Sequence, residues 1–305
     1  MDKTNLGWIN GFIGVAIFAG SLPATRVAVM GFSPEFLTTA RAAIAGIIGL
    51  LCLLLLRQTK PNFAQFKSLM IVACGVVIGF PLFTALALQT VSSAHAIVFV
   101  GLLPLSTAIF AVLRGNEKPA LQFWLFALLG SAIVIGFMFY ENRNLSFSLG
   151  DLYMLASIIV CGLGYAEGGK LSRELGGWQV ICWALVVSLP LMLIGSFYYL
   201  PQSFENIHWS ETLGLIYVSL FSMLIGFIFW YKGLALGGIA SVGQIQLVQP
   251  FIGLILSAFL LGEHVSLAMV LVCFAVVLCV AMAKNSHNYF TFLLVFKSID
   301  FPQST

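Results

Sequence analysis

Runs of roughly twenty apolar residues recur from one end of this chain to the other, and they restrict what it can become. A run of that length crosses the hydrocarbon core of a bilayer as an α-helix. Inside lipid every backbone N–H and C=O must find its partner within the protein, which points to a helical bundle. Composition agrees: 60% of the residues are hydrophobic and 8% are charged, where a soluble domain carries roughly a quarter. The chain reads as an all-α polytopic membrane protein.

Ten transmembrane segments can be delimited, at about 7–28, 34–56, 66–88, 92–113, 119–139, 149–170, 178–200, 211–232, 239–261 and 264–283. The breaks carry polar, proline or glycine signals such as RQTKPN, RGNEKP and PQSFENIHWS, and none has room for a separate soluble domain. The opening MDKTNLGWING lacks the pattern of a cleaved signal, so the first run is expected to stay as a span. All six cysteines fall in apolar runs without a CxxC pair and read as small hydrophobes.

Lys and Arg bias orients the bundle. With the N-terminus inside, the cytoplasmic side collects Lys3, Arg57, Lys60, Lys67, Arg114, Lys118, Lys170, Arg173, Lys232 and Lys284. Arg143 falls outside, with Arg26 and Arg41 near the outer ends of segments 1 and 2. Both termini are therefore expected in the cytoplasm. The mild positive charge follows from these loops and implies no nucleic acid. Residues 285–305 contain YFTFLLVF, too short to span, and form a C-terminal tail.

An internal repeat runs through the segments. HAIVFVGLLPLSTAIFAVLRGNEK from His95 and SVGQIQLVQPFIGLILSAFLLGEH from Ser241 align without a gap at an offset of 146 residues. Pro104 then falls on Pro250 and Glu117 on Glu263. FAGSLPATR, ending in Arg26, pairs with GLGYAEGGK, ending in Lys170, at an offset of 144. The halves, residues 1–140 and 141–284, hold five segments each. An odd number makes the second copy enter from the opposite side, and inverted repeats are an architecture of secondary transporters.

These features resemble the drug/metabolite transporter superfamily, specifically the ten-helix EamA-type exporters, over residues 7 to about 283. The resemblance rests on the proline-to-glutamate pattern closing each half (Pro104 to Glu117, Pro250 to Glu263), the Gly-Ser and cation pattern of segment 1, and SPEFLTTARAAIAG in segment 2. It implies a pseudo-symmetric basket around a central cavity that moves small metabolites, often amino acids, outward across a bacterial-type inner (plasma) membrane. The departures are GNEK, where such proteins often have GE directly, and the tail. Arg41 matches a recurrent arginine of these proteins and is read as structural or gating, not ligand-binding.

Several residues are candidates for substrate contact. Gln246 and Gln249 lie three apart and share a helix face, with Gln244 pointing away. Pro250 has no N–H, so the Gln246 carbonyl is expected to lose its helical partner. Irregular backbone at membrane depth persists only against protein or a wet cavity, and two amides suit a ligand with donors and acceptors. The plainer account is interhelical glue. Pro104 and Pro250 mark helix breaks and hinges. His95, with Phe99 on its face, is either a substrate contact, a proton carrier or a hydrogen-bonded histidine near the rim. Glu167 is the other candidate proton carrier, although an i,i+3 salt bridge to Lys170 is the simpler account. Trp183, Tyr165, Trp230 and Tyr231 lie deep enough to line an apolar pocket, with packing as the competing explanation.

GYAEGGKL at 164–171 nearly matches a phosphate-binding loop, but Leu171 replaces the hydroxyl and no strand precedes it, so no nucleotide chemistry is expected. HExxH, GxSxG and acidic metal pairs are missing, so neither an enzyme nor a cofactor or metal site is expected. The reading is a secondary transporter exporting small amphiphilic metabolites, amino acids first, by alternating access. A multidrug exporter of the same fold and a membrane-embedded enzyme are its rivals. A buried Glu167 would favour the drug exporter; a converging nucleophile and base would favour the enzyme. Monomer and homodimer stay equally open.

Overall fold

A computed structural model of the protein describes residues 3–119, 121–141, 148–205 and 207–279, together with Met282. Ten helices follow one another along these residues, and no strand occurs among them. They are α1 (Lys3–Ala28), α2 (Pro34–Leu55), α3 (Phe63–Thr90), α4 (Ser93–Gly115), α5 (Leu121–Glu141), α6 (Leu149–Leu175), α7 (Gly177–Tyr198), α8 (Trp209–Gly237), α9 (Ile239–Leu261) and α10 (Leu267–Cys279). Eight are long and apolar enough to cross a membrane. The other two contribute shorter apolar stretches, Leu121–Ile133 and Leu267–Cys279. Arg143, Lys284 and the tail 285–305 lie outside the described residues.

Local sequence sets the helix ends. Ser33, Asn62, Ser92 and Ser148 each accept a backbone N–H three residues on, as N-caps do. Asn62 with Gln65, and Ser148 with Asp151, complete capping boxes. Successive helices run antiparallel, so α1 starts on the same face of the bundle where α4 ends and α9 starts; this is the N-terminal face.

The repeat is visible in the broken helices. In α4 the chain runs helically over Ser93–Val100, turns at Gly101 and Leu102, and resumes at Leu103–Gly115. In α9 it runs over Ile239–Gly243, tightens to a 3-10 stretch at Gln244–Val248, and resumes at Gln249–Leu261. Both second segments have 13 residues and carry their proline in the first turn. Both end in a left-handed residue, Asn116 (φ 55) and Gly262 (φ 63). The next N–H then reaches back, Glu117 to the Ala111 carbonyl and Glu263 to that of Ser257. Asn tolerates that conformation, so GNE in one half and LGE in the other build the same helix stop.

The two helices lie antiparallel and cap one another. Glu117, just past α4, accepts the Ile239 and Ala240 N–H groups at 2.9 and 2.8 Å, the first turn of α9. Glu263, just past α9, accepts the Ser93 and Ala94 N–H groups at 3.1 and 2.9 Å, the first turn of α4. Each carboxylate meets the positive end of a helix dipole. Elsewhere small residues bring backbones together: a Cβ on Gly233 of α8 would stand 2.7 Å from the Gly11 nitrogen of α1. A π-helical stretch widens α3 at Ala73–Gly79 and α8 at Tyr217–Ile225.

Candidate functional site

The 3-10 stretch of α9 places Gln246 and Gln249 inside the bundle. With three residues per turn these side chains eclipse one another. The tightened turn also corrects the expectation of a free carbonyl, because the Gln249 N–H binds the Gln246 oxygen in its i→i+3 pattern. What remains unsatisfied is the side chains. Gln246 is 0% exposed and neither amide atom has a hydrogen-bond partner. Gln249 reaches the Phe18 carbonyl with its Nε2 at 3.5 Å, and its Oε1 has no partner. Gln244 bonds the Ala240 carbonyl on its own helix at 3.2 Å and stands apart.

Around the amides is a box of rings from three helices. Tyr165 of α6 stands 5.3 Å from Trp230 and 5.8 Å from Phe227 of α8, centroid to centroid. Phe18 of α1 closes it, 5.0 Å from Phe227 and 6.2 Å from Trp230. The Tyr165 hydroxyl lies near enough to the Gln246 amide to interact with it, though outside hydrogen-bond geometry. The Trp230 indole N–H is buried without an acceptor. Tyr231 anchors the box by donating to the Gly164 carbonyl at 3.1 Å. Unpaired polar groups are rare inside folded proteins and call for an explanation at each position. Here two amides and an indole lie among apolar rings, where α9 tightens to 3-10 geometry.

Four of the residues singled out in the sequence therefore meet: Gln246, Gln249, Tyr165 and Trp230. Trp183 does not join them; it is partly buried on α7 and makes no ring contact with the box. Phe18 is a member the sequence did not single out. Nothing distinguishes it from the other phenylalanines of the chain, since its role depends on α1 crossing α8 closely.

His95 and Phe99 form a second locus toward the opposite face, in ring contact with each other at 5.5 Å. His95 Nε2 lies 2.8 Å from Asp151 Oδ1. Asp151 is fully buried, and its Oδ2 accepts the Ser148 hydroxyl and N–H at 2.7 and 3.0 Å, closing the capping box of α6. His95 is thus a hydrogen-bonded histidine with a carboxylate partner. Glu211 is a further buried carboxylate.

Glu167 corrects a sequence expectation. It is 1% exposed and does not pair with Lys170, which faces outward. The Glu167 carboxylate instead accepts Arg114 Nε of α4 at 2.8 Å and the Ser68 hydroxyl of α3 at 2.5 Å. The helix turns it inward because 162–169, rich in glycine, packs tightly against neighbouring helices. Among the described residues no three His, Cys, Asp or Glu side chains gather as a metal site would need.

A cleft of about 540 Å³ lies on the opposite-face half between α1, α8 and α9, lined by Gly20, Pro23, Val27, Tyr217, Phe221 and Leu256 among others. It is almost wholly apolar.

Known proteins share this build. A solved crystal structure superposes with a TM-score of 0.70 at 19% identity, covering 93% of this chain and 98% of the other, which supports the fold. Two proteins of Bacillus subtilis (strain 168) match by sequence. The uncharacterized transporter YdeK is 62% identical over 285 residues, 93% of this chain and 99% of its own. The uncharacterized transporter YyaM is 24% identical over 282 residues, 90% of this chain and 92% of its own. The model of the EamA-like transporter family matches twice, over residues 5–139 and 148–284. A multi-pass helical bundle with a doubled, mutually capped broken helix and this pair of matches belongs to the EamA-like transporter family, within the drug/metabolite transporter superfamily.

Proposed function

We propose that this transporter exports small amphiphilic metabolites, amino acids first, through the site formed by Gln246, Gln249, Tyr165, Trp230 and Phe18. One observation carries the reading: amide and indole groups stand unsatisfied between aromatic rings midway along a span that departs there from α-helical to 3-10 geometry. A ligand with both donors and acceptors and an apolar side chain supplies what they lack. Residues 1–140 and 141–284 act as rocking halves, hinged at Pro104 and Pro250. The cytoplasmic (plasma) membrane holds the chain with both termini inside, as the Lys and Arg bias favours. A multidrug exporter is the second reading. The aromatic box and the buried Glu167 suit it, but Arg114 already neutralises that carboxylate.

Counterflow in proteoliposomes with a panel of labelled amino acids tests the proposal, with and without an imposed pH gradient. Uptake of particular amino acids is expected, and Gln246→Ala/Gln249→Ala is expected to lower it at least tenfold, in line with two lost hydrogen bonds of about 1 kcal/mol each. A folded double variant with normal uptake would reduce the glutamines to interhelical glue. A wild type that moves drugs and no amino acid would hand the site to the second reading.

A further inference from the structure

Arg41 on α2 is 2% exposed, at a depth where a charge is costly. Among the described residues no carboxylate pairs with it. The ion pairs among the described residues join His95 to Asp151, Arg114 to Glu167 and Arg173 to Glu117. Arg41 donates from Nη2 to the Ser222 hydroxyl at 3.3 Å, long for a charged donor, and its Nε has no partner. Ser222 shares a 2.9 Å hydrogen bond with Ser21 of α1. Thr38, three residues before Arg41 on the same side of α2, brings another buried hydroxyl without a partner. One guanidinium and three hydroxyls from three helices therefore converge, with no carboxylate among the described residues paired to them.

The place adjoins the aromatic box. Phe18 lies one turn before Ser21 on α1, and Phe227 just beyond Ser222 on α8. On the other side, Gly20, Tyr217 and Phe221 line the apolar cleft, with Ser21 and Ser222 as chain neighbours of two of them. Ser222 itself sits in the π-helical stretch of α8, a distortion frequent at functional sites.

We infer that Arg41, with Thr38, Ser21 and Ser222, binds the carboxylate of the transported substrate. A planar monoanion matches the guanidinium fork, and the hydroxyls fill its remaining acceptor sites. The flanking surfaces are the apolar cleft and the aromatic box, so the rest of the substrate is apolar or aromatic apart from the groups that pair with Gln246 and Gln249. This rests on the transport reading above and narrows it: acids and zwitterions are carried, and cationic drugs, which lack an anion for Arg41, are not.

The test compares each acid with its own amide by thermal unfolding of the full chain in detergent: 3-phenylpropionate with 3-phenylpropionamide, phenylalanine with phenylalaninamide, valine with valinamide. Acids are expected to raise Tm at concentrations roughly tenfold or more below their amides, the effect of one charged hydrogen bond. Arg41→Gln is expected to erase that difference and Ser222→Ala to narrow it. Amides as effective as acids, no shift with either, or acid selectivity that survives Arg41→Gln would each overturn the site. If Arg41→Gln does not fold, the wild-type ratio and Ser222→Ala decide. The counterflow panel separates the two claims: acids that stabilise while no amino acid is transported leave this site standing and remove the amino-acid reading.

Discussion

Single side chains in this transporter are defined by what they find across the bundle rather than by their neighbours in sequence. Glu167 shows it: Lys170 is one turn away on the same helix, yet the carboxylate turns inward to Arg114 and Ser68. Removing one partner of such a pair leaves a buried charge, whereas removing both does not. Arg114→Met is therefore expected to cost on the order of 3 kcal/mol, less whatever water reaching the half-exposed arginine restores. Adding Glu167→Leu should regain more than half of it. Thermal unfolding of the single and double variants measures this, and a double variant less stable than Arg114→Met alone would refute the account. Amides, Tyr165 and Trp230 were legible in the sequence because polar or amphipathic groups stand out against hydrocarbon. Phe18, Arg114 and Asp151 were not. Phe18 is one apolar residue among many, Arg114 counts as a loop flank, and Asp151 sits where any helix takes an acidic cap.

Whole elements were more legible than their irregularities. The apolar runs gave the ten helices because twenty such residues have few other fates in a membrane. Pro104 and Pro250 announced the breaks, since each removes a backbone donor. The manner of breaking was not readable: α4 makes an open turn at Gly101 while α9 winds to 3-10, and of the π-helical stretches that of α3 runs up to Pro81 while that of α8 has no proline in it. The left-handed helix stops allow a direct check. Gly262→Ala and Asn116→Ala are each expected to destabilise by about 1 kcal/mol, the cost of a Cβ in that conformation. Gly262→Asn should be close to neutral, because the matching position of the other half already holds Asn116. Unfolding midpoints settle it; a Gly262→Asn protein as damaged as Gly262→Ala would show that the two stops are not equivalent.

At the scale of the molecule, the halves meet at two faces through α4 and α9. If they rock, contacts at both faces must part during one cycle. Ser93 and Ser257 hydroxyls stand 2.8 Å apart near the opposite face, within reach of a disulfide between cysteines placed there. Ser93→Cys/Ser257→Cys is expected to lose counterflow on oxidation and regain it on reduction. A Gly115→Cys/Ile239→Cys pair at the N-terminal face, where those residues adjoin, should behave alike. Undiminished transport by either cross-linked protein would exclude rocking. The mutual caps also bear on how the two halves descend together. Glu117 meets α9 through the main-chain N–H groups of Ile239 and Ala240. Every allele at those positions, proline apart, presents the same donor. No side-chain change at those two positions can compensate for losing the glutamate, so paired substitutions between 117 and 239 or 240 are not expected. A search for covarying positions would pass straight over one of the links by which each half completes the other.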